Sequence, residues 1–519
     1  MANTKNPSRS TDAGEGAAPK PDLVFGFVAP IGTDLLRVND NLSAFLKQVG
    51  YQPHNVRLSD WFNIDKQKKA KLSGKKLYSK LMNFGDHVRR TAARNDAVAA
   101  LAVAAINRIR NTVGQGDARP PFAAILRQFK TPEEIQSLRG VYGNRLIVIS
   151  CHSSHGRRVE SLSSKLAAHS HQLHVARFRH QAEALIMRDE EDYSRNWGQN
   201  VRKAFPLGDM FVDVDDNERL SLDFRRMLEI LFKHPHRTPT RDEYGMYLAE
   251  AAALRSAALG RQVGAVIATA RGDVVSVGSN EVPRAGGGQY WEGEVPDRRD
   301  HTLGFDTNDR FKEKLLAEIM RRLCGAKWIR RKIQNEGLDV LVSKLLYTDD
   351  AVLAGAQVDN IIEFGRCVHA EMAAIVDAAR RGVSVDEAVL FTSTFPCHEC
   401  ARHIVAAGVK RVVYRLPYAK SLVRELYPDS IDIDGTCGDI GRVLFEPYVG
   451  IAPRRYGQFF TMLSRKDPMG NVSGWSPMEA SPNMGEYYPP EDLVVADETV
   501  FFNDVLAKWE EHENGTVAN

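Results

Sequence analysis

Two short stretches carry side chains whose types and spacing suit chemistry: CVHAEM (Cys367–Met372) and TFPCHEC (Thr394–Cys400). His369, Cys397 and Cys400 offer one imidazole and two thiolates. Zinc takes such donors in tetrahedral sites, and a catalytic zinc keeps its fourth position for water. Cys397 and Cys400 are three residues apart, so they share one face of a helix at its N-terminus. There the free N–H groups and the positive dipole end favour thiolates, and Pro396 suits the helix start. His369 likewise opens a helix, so two helix N-termini can converge on one ion across a sheet. Glu371 lies two residues past His369 and points elsewhere around its helix, which makes it a poor fourth ligand. It can instead lean over the open position, take a proton from water there, and return it to a reacting group. Two thiolates and a neutral imidazole cancel the charge of the ion. A purely structural zinc site would need a fourth ligand, for which Cys367 and Cys437 are available, and a CxxC alone would also suit a redox pair.

Those helices need a sheet beneath them. Thr240 and Glu243 fit a capping box that opens a helix running to about Leu259. Two strands follow, Val263–Thr269 and Asp273–Gly278, joined by a tight turn at Arg271 and Gly272. Then come helix His369–Arg381, strand Ala388–Thr392, helix Cys397–Ala407 and strand Arg411–Tyr414. Between Pro283 and Ile362 lies an insertion with three consecutive glycines (Gly286–Gly288) and a basic amphipathic helix around Phe311–Ile333 that includes Trp328. We expect an α/β/α domain with a mixed sheet over residues 240–460, its insertion at 283–362, and a C-terminal extension over 461–519.

At 519 residues the chain is long enough for two domains or more. Hydrophobic residues at 43% and charged residues at 26% suit a globular protein, and a formal charge of +3 gives no global field for nucleic acid. Six scattered cysteines are too few for a disulfide scaffold and suggest a reducing compartment. No apolar run is long enough to span a bilayer, so no membrane partner is expected. Residues 1–20 read as a disordered leader, and the cytoplasm is the default location. Asp22–Val28 is an apolar, β-rich run, followed by a turn and a helical stretch to Val49. An alanine-rich helix around Thr91–Arg110 and two further strands, Leu146–Ile149 and Asp209–Val214, complete an α/β first domain over residues 21–230. At the first strand–helix joint stand Gly26, Gly32, Thr33 and Asp34, a context in which backbone N–H groups bind phosphate. A P-loop would follow its last glycine with Lys and Ser or Thr, whereas this chain has Thr33 and Asp34.

The H-x-E…P-C-x-x-C pattern is the known signature of zinc deaminases. The stretch AALRSAALGRQVGAVIATARGDVVSVGSNEVPRAGGG (Ala252–Gly288) resembles the opening of deoxycytidylate deaminases, and FTSTFPCHECARHIVAAGVKRVVY (Phe391–Tyr414) resembles their second half. Asn280 matches the asparagine that meets the sugar in those enzymes, while Glu281 stands where glycine is common. The whole chain resembles the two-domain anti-phage dCTP deaminases of bacteria, through GFVAPIGTD (Gly26–Asp34), SNEVPRAGGGQYW (Ser279–Trp291), LPYAKSL (Leu416–Leu422) and FEPYVGIAPRRY (Phe445–Tyr456). Arg188, Asp189 and YSRNWGQN (Tyr193–Asn200) resemble the lid of nucleotide kinases. This resemblance implies a P-loop nucleotide-kinase-like α/β domain fused to a cytidine-deaminase-like domain, with a zinc ion. It also implies deamination of dCTP and dCMP that drains dCTP during phage replication, held silent until infection, in some systems by a small RNA. Assembly into a homo-oligomer, hexamers being common among relatives of the deaminase domain, and a nucleotide ligand on the first domain follow from it too.

Other residues invite weaker readings. Tyr418 and Lys420 could reach base or phosphate, and Arg284 with the glycines after it could wrap a triphosphate. The lysine run Lys66–Lys76 and the basic helix Arg321–Lys332 could meet RNA, although a solvated loop and a packed helix face are the commoner explanations. His398 and His403 lie near the cysteines in sequence, and CHSSH (Cys151–His155) mimics a ligand pair without a partner motif. Two rival functions remain at this level: a polynucleotide-editing deaminase and an RNA- or ligand-binding sensor with a vestigial catalytic set.

Overall fold

The computed structural model describes residues 20–61, 74–114, 119–170, 174–190, 192, 197–348, 351–353, 356–417, 421–435, 441–462, 464–485 and 488–517. Residues 1–19 of the leader, most of the lysine run, Tyr193–Asn196, Tyr418, Lys420 and Cys437 lie outside them. The chain forms two compact units: residues 1–238 with 454–519, and residues 239–453.

In the first unit, apolar runs become parallel strands because both of their faces are covered by helices. The strands are β1 (Leu23–Val28), β2 (Gln52–Arg57), β3 (Phe122–Phe129), β4 (Leu146–His152) and β5 (Met210–Asp213). They pair in parallel in the order β2-β3-β1-β4-β5, with β1 buried along its whole length at the centre. Helices α1 (Leu36–Gln48), α2 (Lys75–Thr91), α3 (Ala97–Val113), α4 (Pro132–Tyr142), α5 (His155–His169), α6 (Arg179–Glu190) and α7 (Asn217–Leu231) connect them. The alanines of α3 pack against Phe122, Leu126 and Phe129 of β3 within one core. Gln52–Arg57 shows no apolar alternation, as expected of an edge strand with only Val56 buried.

Residues 454–519, including the 461–519 stretch expected as an extension, belong to this first unit. The physical reason is a set of buried polar anchors. Asp209 is fully buried and accepts from Arg455 at 2.8 Å and Arg454 at 2.6 Å. Arg110 pairs with buried Glu498 through both guanidinium nitrogens, at 2.7 and 2.9 Å, on the C-terminal helix Glu491–Val517.

In the second unit the capping box forms as the sequence predicts: Thr240 Oγ1 accepts from Glu243 N at 3.1 Å, and Glu243 Oε2 accepts from Thr240 N at 2.8 Å. It opens α8 (Arg241–Ala253). The sheet comprises β6 (Gly264–Ala268), β7 (Val274–Ser279), β8 (Val389–Thr394), β9 (Arg411–Leu416), β10 (Ile431–Ile433) and β11 (Val443–Pro447). Its order is β10-β11-β9-β8-β6-β7, with β6 antiparallel to both neighbours and the rest parallel, so the sheet is mixed. The insertion carries α9 (Thr307–Gly325) and α10 (Leu338–Leu346); α11 (Ala370–Arg380) and α12 (His398–Ala406) follow. The basic helix ends earlier than expected, at Gly325, which leaves Trp328 outside it and 79% exposed.

Candidate active site

Both motif stretches sit at helix starts. His369 is the N-cap of α11 and Cys397 the N-cap of α12. Helix α11 lies close on β7 because Gly278 has no Cβ: one added there would meet the Ala370 carbonyl oxygen at 2.1 Å and Ala374 N at 2.5 Å. Its buried face is Ala370, Ala374 and Ala378, one turn apart, packed on Ala265, Ile267 and Leu390. At the start of α12 the Cys397 sulfur itself caps the helix, accepting from Cys400 N at 3.4 Å. That is the partner an orphan first-turn amide requires.

The side chains then converge. His369 Nδ1 lies 3.2 Å from Cys397 Sγ and 3.4 Å from Cys400 Sγ. All three ligand atoms fall within 4.8 Å of one another. Tetrahedral zinc with ordinary bond lengths would hold nitrogen and sulfur about 3.5 Å apart. Donor set and spacing therefore fit a zinc ion. Glu371 is 4% exposed and stands beside the group: its Oε2 is 3.5 Å from Cys400 Sγ, and Oε1 accepts from Thr392 Oγ1 at 3.3 Å. Thr392, on β8, carries no sequence signal of its own beyond its place on the buried face of that strand.

Electrostatics follow from this crowding. The Cys397 thiol is held down to about 4, first by the hydrogen bond from Cys400 and then by His369. Cys400 is pushed up, chiefly by sharing its proton with Cys397 and by burial. His369 is raised to about 9 by its hydrogen bond to Cys397. Burial raises the Glu371 carboxyl, and the Cys397 thiolate raises it further.

Cys367 turns away from this group. Its thiol faces Asp300 Oδ2 at 3.5 Å, and burial together with that carboxylate pushes it up to about 12. Asn280 is engaged with backbone: its Oδ1 accepts from Val263 N at 2.7 Å and its Nδ2 donates to the Arg261 carbonyl at 2.8 Å. Glu281, which departs from the usual glycine, is buried and accepts from Ala257 N at 2.9 Å and Val282 N at 2.8 Å. Arg284 pairs with Glu294 at 2.8 Å in a loop closed by its own backbone, Arg284 N donating to Gly288 O at 2.9 Å. His398 lies 3.9 Å from Glu363, and His403 is exposed.

The expected phosphate-loop residues divide. Gly26 is a core residue inside β1: a Cβ there would lie 2.0 Å from the Phe129 ring, so its small size serves packing and not phosphate. Gly32, at φ +94°, Thr33 and Asp34 do line a cleft at the carboxyl ends of the strands. Asp34, two residues before α1, accepts from Leu36 N at 3.1 Å.

With this geometry in place, comparison with known proteins is informative. Residues 239–416 match the family model of the cytidine and deoxycytidylate deaminase zinc-binding region. This stretch is a cytidine/deoxycytidylate deaminase domain. The deoxycytidylate deaminase of Enterobacteria phage T2 is 41% identical over 54 residues, 10% of this chain and 29% of that protein. That of Schizosaccharomyces pombe is 26% identical over 214 residues, 41% of this chain and 48% of the relative. The chain thus spans less than half the length of either relative. A crystal structure of dCMP deaminase from the cyanophage S-TIM5 aligns at 18% identity over 40% of this chain and 98% of the other, with a TM-score of 0.21. The site trio and Glu371 all fall within the deaminase domain, and the described residues contain no helix long and apolar enough to cross a membrane.

Proposed function

We propose that the protein is a zinc-dependent hydrolase that deaminates deoxycytidine nucleotides, dCMP and dCTP, to dUMP and dUTP with release of ammonia. The observation that carries this reading is Glu371, a buried carboxylate set against three zinc-type ligand atoms without being one of them. Zinc held by His369, Cys397 and Cys400 would activate water as a nucleophile near neutral pH. Glu371 moves the protons. It accepts one from water as oxygen adds to C4 of the cytosine ring and gives it to the ring nitrogen; it then carries the proton of the added hydroxyl to the amine, so that the C4–N bond breaks, ammonia leaves and the C4 carbonyl forms. Thr392 holds the carboxylate by donating to Oε1.

A deoxycytidine nucleotide is favoured by the likeness to phage deoxycytidylate deaminases. The triphosphate, and a role in depleting dCTP in the cytoplasm against phage, rest on the resemblance to anti-phage dCTP deaminases, as do a P-loop-like regulatory first unit, a small-RNA partner and a homo-oligomer. The test is zinc-loaded protein incubated with dCTP, dCMP, deoxycytidine and CTP, following ammonia and uracil products, with Glu371→Ala in parallel. Turnover of the deoxynucleotides that vanishes in the variant is expected. Equal turnover by the variant, or none of the four consumed by the wild type, overturns the proposal.

A further inference from the structure

A cleft of about 710 Å³ opens at the carboxyl ends of β1, β2 and β3 in the first unit, a volume that suits a small-molecule ligand. Its lining is charged, and most of the charges cancel locally. Lys130 pairs with Asp189 at 2.7 Å, and Arg89 with Glu134 at 2.8 Å. Arg57 and Arg127 do not cancel. Arg57, the last residue of β2, pairs in register with Arg127, two residues before the end of β3, so their side chains stand on one face roughly 5 Å apart at the backbone. Among the described residues neither side chain has a hydrogen bond or ion pair, and that of Lys165, also lining the cleft, has none. Burial and the neighbouring Arg57 push the Arg127 guanidinium below its ordinary value, with Asp34 and Asp40 only partly compensating. Two adjacent guanidiniums only partly compensated by carboxylates repel one another and are favourable around a dianion.

The glycine loop is the less suitable anion site. Ile31 N already donates to Asp189 Oδ2 at 2.7 Å, and Thr33 N to the Pro30 carbonyl at 3.3 Å. The Asp34 carboxylate would stand beside any phosphate placed there. Two buried side-chain oxygens in the cleft lack a hydrogen-bond partner among the described residues: Oε1 of Gln199, which is 8% exposed, and Oγ1 of Thr33. A buried acceptor without a donor is costly unless a ligand supplies one.

We infer that this cleft binds a phosphate monoester, its phosphate gripped between Arg57 and Arg127 and its polar remainder directed toward Gln199 and Thr33. Paired guanidinium forks match the oxygens of a phosphate dianion, whereas a lone carboxylate needs only one fork. Calorimetric titration of the full-length protein with inorganic phosphate and with adenosine monophosphate tests it, the adenine base avoiding deamination. The double variant R57Q/R127Q should weaken binding by about tenfold or more, while R57K/R127K, which keeps charge and loses the forks, should fall between. The unliganded R57Q/R127Q protein should unfold no earlier than wild type, because a like-charge pair has been removed. Phosphate binding as tightly as the nucleotide identifies free phosphate as the occupant; tighter nucleotide binding identifies the monoester. Unchanged binding by R57Q/R127Q, or no binding of either probe by wild type up to about 10 mM, overturns the inference.

Discussion

Glu281 and Val368 exchange two backbone hydrogen bonds, Glu281 N to Val368 O at 3.2 Å and Val368 N to Glu281 O at 3.0 Å. The end of β7 is thereby tied to the residue before His369. The Glu281 side chain secures the same loop from inside by accepting the amides of Ala257 and Val282. Glu281→Gln would turn an NH2 group toward a buried N–H donor, at a cost of about 1–3 kcal/mol. We expect a lower unfolding midpoint and weaker zinc retention against a chelator, both measured on the purified variant. If zinc retention is unmoved, Glu281 does not position His369.

Glu371→Gln tests the division of labour at the site. Loss of a general acid–base group typically costs about 10²–10⁴ in rate. The variant should lose activity on that scale while binding zinc with the stoichiometry of the wild type, because Glu371 is not one of the ligands. Zinc content by atomic absorption beside steady-state rates separates the two effects. A variant that loses its metal would make Glu371 a ligand after all.

Thr392→Val removes the hydroxyl that stands 3.3 Å from Glu371 Oε1 and shares its proton with the Thr394 carbonyl at 3.0 Å, and leaves the volume nearly unchanged. A hydrogen bond to a charged group contributes about 1.5–3 kcal/mol, so kcat should fall by roughly tenfold or more. KM should change little, since the threonine touches the carboxylate and not the nucleotide. An equal rise in KM would argue instead for a general disturbance of the pocket.

Cys400→Ser and removal of the ion by chelation should act alike. An ion bound only by the folded chain stabilises it by about 4 kcal/mol at a thousandfold excess over its Kd. Thermal unfolding with and without added zinc should therefore show a metal-dependent midpoint for wild type and none for the variant. A zinc-dependent shift that survives in Cys400→Ser would remove Cys400 from the ligand set.

Asp209 predicts a pH effect in the first unit. Burial pushes its carboxyl up, but Arg454, Arg455 and Arg139 more than offset this and hold it below the usual carboxylate range. A lowered folded value means that its stabilisation is present above the unfolded value of about 3.9 and is lost as pH falls through the folded one. Asp209→Asn leaves buried arginines short of a counter-charge and should cost about 3–5 kcal/mol at neutral pH. The difference between wild type and variant in urea unfolding should hold from neutrality to about pH 4 and shrink below it. A difference that instead grows toward acid would contradict the sign.

The chemistry of the deaminase domain was legible in the chain because its ligands come from two local motifs. H-x-E and P-C-x-x-C each lie within one helical turn, and a helix N-terminus disposes such residues in the same way wherever it occurs. Local signals also marked α8 through Thr240 and Glu243, and the central strand β1 through its unbroken apolar run. The edge strand β2 escaped notice because a strand half open to solvent needs no apolar pattern. Gly26 shows a related ambiguity: a glycine that makes room for Phe129 looks, in one dimension, like a glycine that makes room for phosphate.

What the tertiary structure alone decided are the pairings between residues remote along the chain. Thr392 meets Glu371 only because β8 passes beneath α11, and Arg57 meets Arg127 only through the register of β2 on β3. Arg454 and Arg455 return the end of the chain to Asp209 in the first unit. Donor chemistry is a property of a residue and its near neighbours, so sequence carries it. Counter-charges, held carboxylates and unpaired cations are properties of distance in space, which only the packed sheet and its helices set.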